Sequence, residues 1–212
     1  LKILKKFNKK IKIIKNKDKK FNTGPLNQIN GIVELFLKSK GEIIFLLDGD
    51  DFFKENKLKY ITQIFKKNKK LNFLQDTPYL YKEKQLRYVR KKKHFFSIWP
   101  SFHPTSSIVV RRNYFKNFLK FLEKEKFPNL EIDARLSMYA FLKKNFLILD
   151  KSFTIYNYDK TGITSKYKKF HILWWVKRDE AFSYLLILHK KLKKRFYYGF
   201  DFFLTRLINF FI

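Results

Sequence analysis

The sequence predicts an α/β fold, a mostly parallel sheet flanked by helices, followed by a basic, aromatic, helical C-terminal segment. Three observations carry this. Ile43-Ile44-Phe45-Leu46-Leu47 is continuously apolar and of strand length, the pattern of a strand buried on both faces in a parallel sheet. Segments with apolar residues at helical spacing alternate with short apolar runs of this kind. The 43–47 run ends in Asp48-Gly49-Asp50-Asp51, and open α/β sheets bind ligands beyond the carboxyl ends of their strands.

The elements follow in order. Residues 1–10 read as the end of a basic helix, and Ile11-Lys12-Ile13-Ile14 as a short strand. Gly24-Pro25 breaks the chain and starts a helix, since proline suits the first helical position. Leu26, Ile29, Val33 and Phe36 keep helical spacing until Lys38-Ser39-Lys40-Gly41 closes the segment with positive charge and a glycine. After the acidic turn, Leu58, Ile61 and Phe65 define a second amphipathic helix with Lys57, Lys59, Lys66 and Lys67 on its surface.

Asn72-Phe73-Leu74 and Ile108-Val109-Val110 read as strands on either side of an irregular stretch, 77–104. That stretch holds Pro78, Pro100, Pro104 and the run Arg90-Lys91-Lys92-Lys93. Residues 113–126 and 131–144 read as helices and 146–149 as a strand. From Lys168 onward two basic, aromatic helices are expected. The expected organisation is a domain over 1–166 and a helical tail over 167–212.

Composition narrows the function classes. With 212 residues the chain has enough length for one well-cored domain. No cysteine is present, which excludes a disulfide framework and thiolate metal sites. Lys and Arg number 48 against 18 acids, a net charge of +30 that suits polyanions. Only eight of the 48 are Arg, the residue that grips phosphate and bases bidentately. Lys, Asn, Ile, Phe and Tyr supply 112 residues while Ala supplies three, so an A/T-rich coding bias is favoured over a dedicated nucleic-acid surface as the source of the charge, and both readings stay open. The apolar runs fall short of the ~18 residues of a membrane span. Residue 1 is Leu, the only Met is Met138, and no leader-like segment opens the sequence.

The triple carboxylate Asp48, Asp50 and Asp51 is the sharpest chemical feature. Three acids in four residues repel one another unless a cation or donor groups neutralise them. Oxygen ligands favour Mg²⁺ or Mn²⁺, which commonly bridge to substrate phosphates, and Gly49 permits the tight turn. The structural alternative is an acidic turn capping the next helix.

The stretch from Gly41 to Leu58 resembles the region around the Asp-x-Asp motif of family 2 glycosyltransferases, which have the GT-A fold. Upstream, Gly24 and Asn30 resemble the family's Gly followed by Asn six residues later, with about three residues more than the family's spacing before Gly41. Downstream, residues 106–112 resemble the strand after the acceptor loop, and Glu131-Ile132-Asp133 a variant of the family's adjacent Glu-Asp pair. Tyr156 and Gly162-Ile163-Thr164-Ser165 resemble the loop that closes over the donor. The resemblance spans about residues 11–166. The family's first two strands, which hold the nucleotide base, have no counterpart, so the chain is expected to be an N-terminally truncated piece.

The resemblance implies an inverting transfer of a sugar from a nucleotide-sugar donor to a saccharide or lipid-linked acceptor, in cell-envelope polysaccharide synthesis. It implies metal ligation by Asp48, Asp50 and Asp51, donor contacts from Gly24, Asn30, Asp48 and Asp50, and Asp133, then Glu131, as general base. Asp133 as an ordinary first-turn helix acid is the competing reading. Trp99 and His103 are candidates to stack on an acceptor sugar, although a lone loop His is by default a surface residue. Trp174 and Trp175, followed by Lys177 and Arg178, and the Phe-rich end of the sequence are candidates for an anionic membrane surface, since aromatic and basic residues interleave from Phe170 to Ile212; this places the protein in the cytoplasm or on the inner face of the membrane. Three rivals remain open: a palm-type polymerase or two-metal nuclease, to whose motif Gly49-Asp50-Asp51 is similar; a basic binding module; and an inactive fragment.

Overall fold

Apolar residues at the anticipated helical positions form α1 (Gly24–Lys38), which buries Leu26, Ile29, Val33 and Phe36 along one face. The structure is a computed structural model that describes residues 11–14, 21–82, 85–88, 102–158 and 166–212. Residues 1–10, Arg90-Lys91-Lys92-Lys93, Trp99 and 162–165 lie outside the described residues. Beyond α1 come β1 (Ile43–Phe45), β2 (Phe52–Phe53), α2 (Lys57–Lys67), β3 (Phe73–Asp76), β4 (Tyr79–Lys82) and β5 (Gln85–Tyr88). They are followed by β6 (Ile108–Arg111), α3 (Arg112–Phe118), α4 (Ile132–Lys143), β7 (Phe146–Leu149), β8 (Thr154–Asn157), α5 (Ile172–Lys191) and α6 (Phe200–Phe210).

The strands form two four-stranded sheets, ordered β1-β6-β3-β7 and β2-β8-β4-β5. In the first, β3 and β6 are the centre, and alternate residues face opposite layers. Phe73, Ile108 and Val110 join a core made with α1, α3, α4 and α5. Leu74 and Val109 point the other way, into a core with Ile61 and Phe65 of α2. The centre of the sheet is therefore covered on both faces, which is why Phe73-Leu74 and Ile108-Val109-Val110 are apolar without alternation.

Several expectations are corrected. Parallel pairing is the minority among the described residues: β3·β7 and β4·β8 are parallel, while β1·β6, β3·β6, β2·β8 and β4·β5 are antiparallel. The 43–47 run is not buried on both faces. Only Ile43–Phe45 is strand, its residues are half-buried, and Leu47 is exposed. Among the described residues β1 pairs with β6 alone, and its other side meets a cavity of about 450 Å³ between it and α1. Residues 11–14 carry no strand. The helix expected over 113–126 stops at Phe118, continuing only as a 3-10 turn over Leu119–Phe121.

Arg135 holds the chain that follows this stop. It is fully buried on α4, and its guanidinium donates to the carbonyls of Leu122, Glu123, Lys126, Phe127 and Leu130 at 2.7–3.0 Å. Five carbonyls turned towards one cation cannot belong to a continuing helix, and Glu123 and Phe127 take positive φ to make the turn. Arg135→Met strands these acceptors in the interior and is expected to cost at least about 3 kcal/mol. Urea titration of the variant against the parent checks this.

Candidate functional site

The carboxyl end of β1 and the N-terminus of α4 supply the carboxylates, and a set of donors from distant segments fixes them. Asp48 accepts from Gln28 Nε2 of α1 at 3.0 Å, and its own N–H donates to Ser106 Oγ at 2.9 Å. Burial raises its pKa, the Gln28 bond opposes this, and the charges of Asp51 and Asp50 raise it further. Asp50 is exposed. Asp51 is 5% exposed, and its Oδ1 accepts from the N–H of Asn157 at 2.8 Å, which ties the acidic turn to β8. Burial raises Asp51 as well, with Ser106 and Asn157 opposing. Its Oδ2 is buried without a hydrogen-bond partner.

Beneath this turn lies a cation that the sequence placed on the surface of α2. Lys57 is 0% exposed. Its Nζ donates to Asp76 Oδ1 at 2.9 Å, Ser106 O at 2.7 Å and Thr154 Oγ1 at 2.6 Å. Asp76 also accepts from Phe153 N at 2.8 Å and Thr154 Oγ1 at 2.9 Å. Burial pushes the Lys57 pKa down while Asp76 and then Asp51 hold it up. Lys57 and Ser106 thus fasten α2, β3, β8 and the turn before β6 under the carboxylates.

At α4, Asp133 is half-buried and its Oδ1 accepts from the N–H of Ala134 at 2.7 Å. Burial and the neighbouring Glu131 charge push its pKa up to about 7, against the pull of Lys177, and Asp48 adds to the rise. Glu131 is buried and bound to Lys177 at 2.5 Å. A cavity of about 330 Å³ adjoins this end of α4, with Phe102, Ala134, Tyr167, Trp174, Lys177 and Arg178 in its wall.

The remaining candidates land elsewhere. Gly24 opens α1, and Asn30, on the same helix, is buried and donates to Glu34. The α1 residue that reaches Asp48 is Gln28, two positions earlier, a short spacing the pattern match did not single out. His103 is no surface residue. It is 4% exposed, with Nε2 3.3 Å from Thr77 Oγ1 and its carbonyl accepting from Gln75, so it anchors the segment before β6 to the end of β3. Trp99 lies outside the described residues. Trp174 and Trp175 are half-buried, with Lys177 on Glu131 and Arg178 on Asp201.

Among the described residues no group of three or more His, Cys, Asp or Glu side chains is arranged to hold a metal by itself. The acidic turn also departs from the polymerase pattern. β2 pairs with β8 and not with β1, so no hairpin displays Gly49-Asp50-Asp51, and Asp76 is already neutralised by Lys57.

No family model and no curated protein matches the chain. Among solved structures it is similar to S. aureus TarS 1–349 in complex with UDP-GlcNAc. That likeness has 16% identity and a TM-score of 0.54, covering 90% of this chain and 58% of TarS 1–349. A second crystal structure, of TarS 1–349, aligns over the same shares at 10% identity and a TM-score of 0.45. The chain thus spans less than two thirds of the neighbour it matches, and at this identity the likeness supports a glycosyltransferase fold and nothing finer.

Proposed function

We propose that the chain carries the catalytic half of a family 2-like, GT-A glycosyltransferase that moves a sugar from a nucleotide-sugar donor with inversion, in cell-envelope polysaccharide synthesis on the cytoplasmic side. One observation supports this above the others: in a glycosyltransferase-like fold, the acidic turn that follows β1 is held in shape by Gln28, Ser106 and Asn157 from three separate segments. Asp48, Asp50 and Asp51 are the residues to receive the diphosphate end of the donor. Such a turn fits a divalent cation, because Asp51 Oδ2 is buried and unpartnered and two further carboxyls stand beside it. With fewer than three ligands converging, an Mg²⁺ or Mn²⁺ would be shared with the donor phosphates, as is usual for Mg²⁺. When bound, it would supply charge neutralisation for the departing diphosphate.

The chain's own groups do the rest. Gln28 and the Ser106 hydroxyl hold Asp48, and the Asn157 N–H holds Asp51, so the acidic turn keeps its shape as charge develops opposite it. The 330 Å³ cavity walled by Tyr167 and Trp174 is the place for the acceptor saccharide, with Lys177 stacked 4.3 Å over the Tyr167 ring and Arg178 5.3 Å over that of Trp174. Asp133 takes the proton of the attacking hydroxyl, and its raised pKa suits a base working near neutrality. Lys177, held on Glu131, keeps that pKa from rising further.

Calorimetry with a panel of nucleotide sugars and Mn²⁺ tests the donor half. Asp48→Asn and Asp50→Asn are expected to lower Mn²⁺-dependent binding at least tenfold without changing the melting temperature by more than a few degrees. Binding that is unaffected by both substitutions, or by removing Mn²⁺, contradicts the assignment.

A further inference from the structure

The outer face of α6 is an uncovered apolar feature among the described residues. Asp201, Phe202, Thr205 and Asn209 turn inward. Asp201 and Thr205 meet Arg178, Phe202 meets Phe182, and Asn209 donates to the carbonyl of Trp175. These contacts make α5 and α6 an antiparallel hairpin. They leave Phe200, Phe203, Leu207 and Phe210, at spacings of three and four, as one outward stripe, 71, 58, 57 and 80% exposed. Phe211 and Ile212 extend the stripe towards the start of α5, where Phe170 and Ile172 are also exposed.

Charge around this stripe has one sign. Residues 166–212 hold eleven Lys and Arg against three acids. All three acids are turned inward: Asp201 onto Arg178, Asp179 onto Arg206 and Glu180 onto Asn129. Exposed Lys166, Lys168 and Lys169 flank one end of the hairpin, and Lys193, Lys194 and Arg195 lie at its turn. An aromatic stripe bounded at both ends by cations, with no acid facing outward, is complementary to an apolar layer beneath an anionic surface. An acidic protein groove matches the cations but not a helix-long row of solvated phenyl rings.

From this we infer that the α5–α6 hairpin docks on an anionic lipid bilayer, α6 lying in the plane of the interface with Phe203, Leu207 and Phe210 among the acyl chains. At 11 residues α6 is too short to cross, and no described helix is long and apolar enough to do so. The surface uses the Phe-rich end that the sequence suggests and not its Trp174-Trp175-Lys177-Arg178 segment, whose two cations are paired with Glu131 and Asp201. It stands independently of the transferase proposal, although α5 also carries Lys177 to Glu131.

The test is partition of the chain onto vesicles of phosphatidylcholine alone or with 30% phosphatidylglycerol, followed by co-sedimentation at low salt and at 0.5 M salt. Binding is expected at least tenfold tighter to the anionic vesicles and to persist in part at high salt. F203S/L207S/F210S is expected to lose binding at least tenfold at both salts with an unchanged melting temperature, because these side chains are exposed. K166Q/K168Q/K169Q is expected to lose only the preference for anionic lipid. Equal binding by the serine variant overturns the proposal, because it reduces binding to general adhesion of a basic protein. Self-association that the serine substitutions abolish, without vesicle binding, overturns it in favour of a second copy of the chain.

Discussion

Asp133→Asn is expected to lower the rate of sugar transfer by about 10²- to 10⁴-fold while leaving nucleotide-sugar affinity within about twofold, the signature of a lost general base. The variant keeps the shape of the side chain and retains an oxygen to accept the Ala134 N–H. Stability should move in the opposite sense from activity. The folded-state pKa is raised to about 7 from a starting value of 3.8, so the folded protein holds this proton more tightly than the unfolded chain does. The stability tied to that proton is complete below the unfolded value and is lost as pH rises to about 7. Asn carries no such loss, so at pH 8 the variant should melt at or above the parent temperature. An ordinary first-turn acid would behave differently on both counts. Transfer by the parent should rise with pH through about 7, and Lys177→Met should carry that limb to higher pH, because Lys177 lowers Asp133. A pH–rate series on the three proteins checks the set.

The second large effect is structural. Lys57→Met leaves Asp76, 0% exposed, as an uncompensated charge under the acidic turn. Removing one partner of a buried pair costs about 3–5 kcal/mol. For a chain of this size that is a fall in melting temperature on the order of 10 °C. Asp76→Asn should also destabilise. The double variant should be less damaged than the two losses added together, since neither charge is then left alone. Thermal melts of the four proteins measure the coupling directly. Donor affinity should fall in Lys57→Met even below its melting temperature, because Ser106, which holds the Asp48 N–H, also receives Lys57 through its carbonyl.

These two sites differ in how far the sequence revealed them. The acidic turn stood out because three acids follow an apolar run, whereas Asp133 stood out only through the resemblance of Glu131-Ile132-Asp133 to a family motif, since an acid opening a helical pattern is ordinary. Lys57 did not, because in sequence it is one lysine among many on an amphipathic helix, and its partners lie 19 to 97 residues away. Gln28 and Ser106 were hidden for the same reason, since contact between distant segments leaves no local pattern. The fold divides in a similar way. β3, β6 and β7, and α1, α2 and α4, are built from apolar runs or helical spacing that the sequence displays. The second sheet is built from strands of two to four residues, such as Phe52–Phe53 and Tyr79–Lys82, whose mixed aromatic and polar residues match no strand template. The path of residues 122–130 depends on Arg135, which lies beyond them on α4, and no local propensity announces it.

The most direct test is anomalous diffraction from crystals of the chain, with any upstream segment its gene encodes, grown with Mn²⁺ and a nucleotide sugar. The expected result is a manganese peak at the Asp48–Asp51 turn, bridging to the diphosphate, with the sugar between it and Asp133. A nucleotide sugar bound away from this turn, or bound here with Asp133 turned from the sugar, contradicts the account.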